Sequence, residues 1–452
     1  MSVTKAITTG AIGAIGLSIG VFALLLQPFS PAGASFELTS TVQPEAVQRN
    51  LYCTGGVVGH LRDSAEVLKV AETKISISGG EVSDPLSAAK GKNGFVITHT
   101  GDPTLLAAAE TAGFGSADVS GLLAAECGDG TSEQWLVGGS TTTGRDSIIT
   151  ITNGSDVESH VDIEVWGANG KADAPGSKGL VVPPLSQRSY SAAGFIPSEE
   201  SPIFHIISTG GSVWSTLETS VVRGLQAGGL DRTGPSSTPN ETQLFPIFRI
   251  QDEKEMGPIN GNEDYKDVQP AIRLLTESAD GAEVSIALQP AGGGESHTVT
   301  ANLTAGRVTD LLLADLEPGD YSISLRASAP IIAGLRAGWH EKKSENTDMA
   351  WIAPVPAATG SISMQLPLSG TVAITNPGTK TITVNISTSK GDRAETVEQG
   401  QTVYLEADAG LMVLQSDAEY AAATFLQNDY GIATIRALAP PVGIGNIRVT
   451  AK

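Results

Sequence analysis

One pattern recurs three times along this chain, and it limits what the chain can fold into. The clearest copy runs SIITITN (147–153), VDIEVWGANGK (161–171), GLVVPPLSQRSYS (179–191) and IFHIISTGGSVWSTLETS (203–220). The same order returns as GTVAITN (370–376), TITVNISTSKG (381–391), ETVEQGQTVYLEA (395–407) and LMVLQSDAEYAAATFLQ (411–427). A fainter middle copy runs AIRLLTE (271–277), AEVSIALQPAGGG (282–294), HTVTANLTAGRVTDLLL (297–313) and YSISLRASAPIIAGLRAGW (321–339). Apolar and polar residues alternate with a period of two, which places them on opposite faces of a strand. Alternation broken by turns every ~8–12 residues is the mark of an antiparallel sandwich. Asn153 and Asn376 close the opening strand of their copies, where a turn residue is needed.

The expected fold is therefore all-β, with tandem Ig-like antiparallel β-sandwich modules behind an N-terminal transmembrane or signal helix. The 52 Gly and 24 Pro among 452 residues agree with turn-rich β structure. Each copy is preceded by an aromatic-led run, WLVGG at 135, LFPIF at 244 and WIAPV at 351, read as a first or bridging strand. GGLDRTGPSSTPNETQ (228–243) and HEKKSENTDM (340–349) read as joints, and DEKEMGPINGNEDYKD (252–267) as an exposed acidic loop. The boundaries follow: residues 1–34 a membrane anchor or signal peptide, 35–50 a tether, and 51–131 an N-terminal β-rich module. Sandwiches are placed at 132–227, 244–340 and 351–452. One segment, TLLAAAETAGF (104–114), fits a short helix as well as a strand.

The start of the chain indicates its compartment. One lysine in MSVTK precedes an uncharged run, residues 6–26, long enough to cross a bilayer core of ~30 Å. Ala32-Gly33-Ala34 supplies an A-x-A cleavage pattern, so a secretory signal fits. Thr9, Gly13, Gly16 and Gly20 share one helical face, and small residues on such a face let two membrane helices pack closely. That face favours an uncleaved anchor, giving a single-pass membrane protein with extracytoplasmic domains. Cleavage after Ala34 would make it secreted. In an exported chain the two cysteines, Cys53 and Cys127, read as a disulfide closing the N-terminal module.

The stretch GLLAAECGDGTSEQWLVGGSTTTGRDSIITITN (121–153) resembles the core motif of an actinobacterial exported family catalogued only as a domain of unknown function. Cys127, Trp135, Gly138-Gly139, Gly144-Arg145 and Asn153 carry the likeness, with LYCTGG at 51 as the upstream cysteine. Thr54 departs from the family, which often has proline after that cysteine. The resemblance implies a cell-envelope protein over residues 50–450, with members encoded near envelope glycosyltransferases. It brings no catalytic residue.

Motifs for chemistry are sparse. The six histidines show no HExxH and no two within four positions, and there is no GxSxG. NGNEDYKD at 260 lacks the DxDxDG core of a calcium loop and reads as a solvated turn. Arg145, in a loop of the family-like stretch, is a candidate surface contact or the partner of Asp146 or another loop acid. A formal charge of -21 repels phosphates and anionic headgroups, so nucleic acid is a poor partner. The leading expectation is a non-catalytic envelope scaffold without cofactor or metal. Its expected partner is another envelope membrane protein, with a glycosyltransferase as one class. Its alternatives are a cell-wall polysaccharide-binding protein, which needs exposed aromatic or acidic clefts, and an envelope glycan hydrolase, which needs two convergent carboxylates in a groove.

Overall fold

The computed structural model describes residues 38–42, 48–60, 67–116, 119–236, 238–252, 259, 262–313, 316–342, 344–441 and 447–451. Among the described residues strands hold 63% and helix 4%, so the all-β expectation holds. Ala46–Pro441 forms one compact unit, and a separate unit contains an antiparallel ribbon of Leu38–Val42 with Ile447–Ala451. Among the described residues no helix is long and apolar enough to cross a membrane. The run 6–26, with Thr9, Gly13, Gly16 and Gly20, lies outside the described residues.

The three copies share one topology. In the first sandwich one sheet carries Glu133–Val137, Ile203–Gly210, Ser159–Gly167 and Leu180–Val182. The facing sheet orders Ser186–Ser191, Arg145–Asn153, Trp214–Arg223 and Gln226–Thr233. Leu136, Val161, Ile163, Val165, Phe204 and Ile206 from one sheet pack on Ile149, Ile151 and Leu217 from the other. These are the alternate residues of the sequence pattern, brought face to face by the pleat.

The second and third sandwiches repeat this arrangement with one change. Where the first copy breaks between Gly210 and Trp214, the later copies run a single strand through both sheets. In Gly319–His340 the residues up to Ile331 pair with Asn240–Ile250 and Ala282–Pro290, and those from Ile332 pair with Ala271–Leu275 and Thr347–Ile352. Gly410–Asn428 divides likewise between Ala358–Leu366 with Ile382–Thr388 and Gly370–Thr375 with Gly431–Arg436.

Asn153 and Asn376 occupy equivalent places in detail. Both are fully buried. The Asn153 amide donates to the carbonyls of Val157 (2.8 Å), Val182 (3.0 Å) and Pro183 (3.2 Å), and its oxygen accepts from the Ser155 N–H at 3.0 Å. Asn376 donates to Lys380 (2.8 Å), Val397 (3.0 Å) and Glu398 (3.2 Å) and accepts from Gly378 N–H at 2.9 Å. In the middle copy Thr276 takes the position and accepts from Ser278 N–H at 3.2 Å. A hydroxyl reproduces the turn acceptor but not the planar double donor.

The segmentation differs from the sequence reading in several places: Leu38–Val42, assigned to the tether, and Ile447–Ala451, assigned to the third sandwich, pair with each other in the separate unit. Gln226–Thr233, assigned mostly to a joint, is the buried last strand of the first sandwich. Thr347–Ile352, split between a joint and the third sandwich, is the last strand of the second. Ala107–Gly115 is a strand rather than a helix, because it pairs with Lys74–Ser78 on one side and Ser120–Glu126 on the other. Two-sided pairing overrides the helix preference of alanine. The modules are also not strung out on linkers. The last strands of the three sandwiches, 226–233, 347–352 and 431–436, all pack on Ser120–Glu126 of the N-terminal module.

Candidate functional site at the module junction

That convergence is the part of the molecule where polar chemistry is concentrated. Its first component is the loop Cys53–Gly56, held down by the Cys53–Cys127 disulfide, whose cysteines are both buried. Cross-linking across 74 residues stabilises by ~4 kcal/mol in the chain-entropy model. The loop delivers backbone groups to a buried ionic cluster. Arg232, on the last strand of the first sandwich, donates to Gly55 O (2.7 Å) and Gly56 O (3.0 Å). It also bonds Glu218 Oε2 at 2.5 and 3.0 Å and Glu110 Oε2 at 3.1 Å.

The carboxylates are satisfied from the same loop. Thr54 N–H and Gly55 N–H donate to Glu110 at 3.1 and 2.5 Å, and Val58 N–H donates to Glu218 at 2.8 Å. Thr54 thus has a structural use where the resembled family often carries proline, which has no N–H to give. Burial pushes both glutamates up from the ordinary range while Arg232 pulls them down. Burial disfavours the Arg232 charge, but Glu218 and Glu110 outweigh it and raise its pKa. Neighbouring Asp231, buried and accepting the Trp351 N–H at 2.9 Å, is pushed to about 7, chiefly by burial.

Asp348 is the second component and touches every module. It sits fully buried on the last strand of the second sandwich. Its oxygens accept N–H groups from Leu122 of the N-terminal module (3.0 Å), Leu230 of the first sandwich (3.0 Å) and Ile432 of the third (2.9 Å). Burial pushes this carboxyl well above the usual range, against the pull of these amides and that of Met349. The fit demands glycine at 431, where a Cβ would lie 1.8 Å from the carboxylate.

Two more buried arginines complete the joint. Arg436 of the third sandwich clamps Glu126 at 2.5 and 2.9 Å and donates to Pro235 O at 2.7 Å. Arg273 of the second bonds Asp310 at 2.8 and 2.9 Å, reaches Gly139 O and Pro202 O of the first, and stacks 4.4 Å from the Trp351 ring. Apolar packing also crosses the borders. Ala109, Leu122 and Ala124 join the core of the third sandwich.

Of the residues singled out from sequence, Cys53 and Cys127 meet here. Arg145 is at the edge, bonded to Asp264 O (2.9 Å) and 3.6 Å from Asp267, an acid of the 252–267 loop. Asp146, its sequence neighbour, pairs instead with His60 at 2.6 Å. Glu110 and Glu218 are two convergent carboxylates, the feature a hydrolase needs, but they are 1% and 3% exposed and share one arginine. Among the described residues no group of three potential metal ligands forms. Sequence reasoning missed Glu110, Arg232, Arg273, Asp348 and Arg436. The available signal was charge inside an apolar or glycine-flanked strand, as Arg273 in AIRLL and Asp231-Arg232 in GGLDRTG.

The model of the Family of unknown function (DUF5719) matches residues 87–414, well over half of the chain. The chain belongs to this family. The matched span contains Cys127, Trp135, Gly138-Gly139, Gly144-Arg145 and Asn153 and excludes the LYCTGG loop. It is narrower at both ends than the 50–450 that the resemblance implied. No curated protein matches. Among solved structures, the FN1–FN3 domains of chicken CNTN1 are similar at 11% identity, covering 71% of this chain and 98% of that one, with a TM-score of 0.09.

Proposed function

We propose that this DUF5719 member is a non-catalytic extracytoplasmic protein of the cell envelope that presents a rigid interaction scaffold. In this reading the apolar run 6–26 anchors it as a single-pass membrane protein, with Thr9, Gly13, Gly16 and Gly20 against a partner helix. The partner class implied by the family resemblance is an envelope glycosyltransferase, whose glycan assembly the scaffold would support. The observation that carries the reading is the use of buried charge. Arg232, Arg436, Arg273 and Asp348 bond across module borders, so the strongest electrostatics fix module positions. Such a body holds its outer loops and edge strands at fixed spacing, where sandwich modules bind partners.

Cross-linking and affinity capture of the full-length chain from detergent-solubilised membranes tests this. A membrane protein that co-purifies with the wild type and is lost with Gly16→Leu and Gly20→Leu together supports the reading. A mature N-terminus at Ser35 defeats the anchor and leaves a secreted protein.

A further inference from the structure

Directly beside the Asp348 contacts lies an open cleft with room for about 270 Å³. Its lining comes from all four modules: Phe114 and Ser120, Gln226, Trp339 and Asn346, and Asp429 with Tyr430. We propose that this cleft binds one residue of a neutral saccharide. The proposal goes beyond the scaffold reading and does not depend on it.

The chemistry of the lining selects the ligand. Tyr430 lies against the backbone of the neighbouring strand, and a Cβ at Gly113 would sit 2.4 Å from its Cδ2. Glycine there lets the ring settle with one face supported, while the side chain remains 46% exposed. A supported, partly exposed aromatic face offers a stacking platform for the C–H face of a sugar ring. Around it stand planar amides and a carboxylate, groups that meet adjacent hydroxyls in pairs. Asn346 donates to Glu341 at 2.8 Å, which orients its amide and leaves its oxygen as an acceptor. Gln226 and Asp429 are exposed. Among the lining residues Asp429 alone is charged, so phosphates, uronic acids and other anions are disfavoured. The volume falls just below the usual small-molecule range of ~300–1,000 Å³, which suits one sugar ring of a longer glycan.

The walls are also fixed in advance. Ser120, Asn346 and Tyr430 each stand two residues before a partner in the Asp348 contacts, namely Leu122, Asp348 itself and Ile432. Ser120 opens the strand Ser120–Glu126, and Asn346 and Tyr430 directly precede the strands Thr347–Ile352 and Gly431–Arg436, so the bonds that lock these strand ends at the junction also hold the cleft open. Preorganisation of this kind lowers the ordering cost of binding.

The test uses the full-length chain in detergent on an array of neutral hexose and pentose oligosaccharides, followed by saturation-transfer NMR with the best-retained one. Wild-type binding at millimolar concentration is expected, weakened roughly tenfold or more by Tyr430→Ala and severalfold by Asp429→Ala and Gln226→Ala. Gly113→Val, which displaces the ring without removing it, is expected to weaken binding as well. Thermal melting checks each variant, and if Tyr430→Ala unfolds, the two exposed polar variants decide. Retention of no neutral oligosaccharide, retention of anionic glycans or peptides only, or equal binding by wild type and the polar variants overturns the proposal. Partner capture from membranes is expected to survive all four substitutions, so failure here and failure of the scaffold reading are separable.

Discussion

The interiors of the sandwiches and the junction where they meet are built on opposite principles. Inside the first sandwich the buried residues are Val, Ile, Leu and Phe, repeated at alternate positions and interchangeable in kind. At the junction they are arginine, glutamate, aspartate and glycine, each with a particular partner and none repeated at its equivalent place. Glu218 pairs with Arg232 across the last two strands of the first sandwich. The matching pairs are Arg336 with Trp351 in the second and Phe425 with Thr434 in the third. Apolar burial is non-directional and stabilises any sandwich of suitable pattern. Buried charges tolerate few alternatives, which suits an interface that must form one way, although specificity from buried ions is not universal.

Replacement of Arg232 by Ala breaks this comparison most severely. It leaves Glu110 and Glu218 buried without a cation, and a loss of about 3–5 kcal/mol is expected in chemical denaturation. Combining Arg232→Met with Glu110→Gln and Glu218→Gln is expected to recover much of it. A full loss in the triple variant would mean that the arginine acts mainly through its contacts to Gly55 and Gly56.

A pair within the repeats sharpens the other side. Asn153→Ala and Asn376→Ala remove the same four hydrogen bonds to the backbone from two sandwiches, so each is expected to cost about 1–3 kcal/mol. Similar losses in the two are expected from thermal melts. Clearly unequal values would show that the copies are not energetically equivalent.

Acidity distinguishes the junction from the cores. Burial raises Asp231 to about 7, and Glu110, Glu218 and Asp348 move in the same direction. Between about 4 and 7 the folded chain therefore keeps a proton on Asp231 that the unfolded chain releases, so stability falls as pH rises through that window. The melting temperature is expected to be lower at neutral pH than at mildly acidic pH. Asp231→Asn is expected to flatten the slope, whatever its absolute stability. A slope unchanged in that variant would assign the effect to the other three carboxyls.

The smallest effect is expected from a charge pair outside the junction. Lys390 and Asp408 are 73% and 61% exposed on the third sandwich. Lys390→Ala should change stability by less than about 1 kcal/mol. A loss approaching that of Arg232→Ala would erase the distinction drawn between buried and surface charge.

Period-two alternation by itself determined the all-β class, the three copies and the equivalence of Asn153 with Asn376, because the face a side chain occupies depends only on the parity of its position in a strand. The count of two cysteines, with the expectation of export, was enough for Cys53–Cys127. Only the tertiary structure decided that the modules converge, that GGLDRT and TDMAWI are buried strand segments, and that Arg145 faces Asp267 rather than Asp146. A charged residue in a sequence signals exposure unless a partner is near, and the partners here lie far along the chain: 122 residues separate Glu110 from Arg232, and 310 separate Glu126 from Arg436. Local pattern carries no record of pairing at that distance. The junction, and the cleft it holds open, exist only once the three sandwiches have closed on the strand Ser120–Glu126.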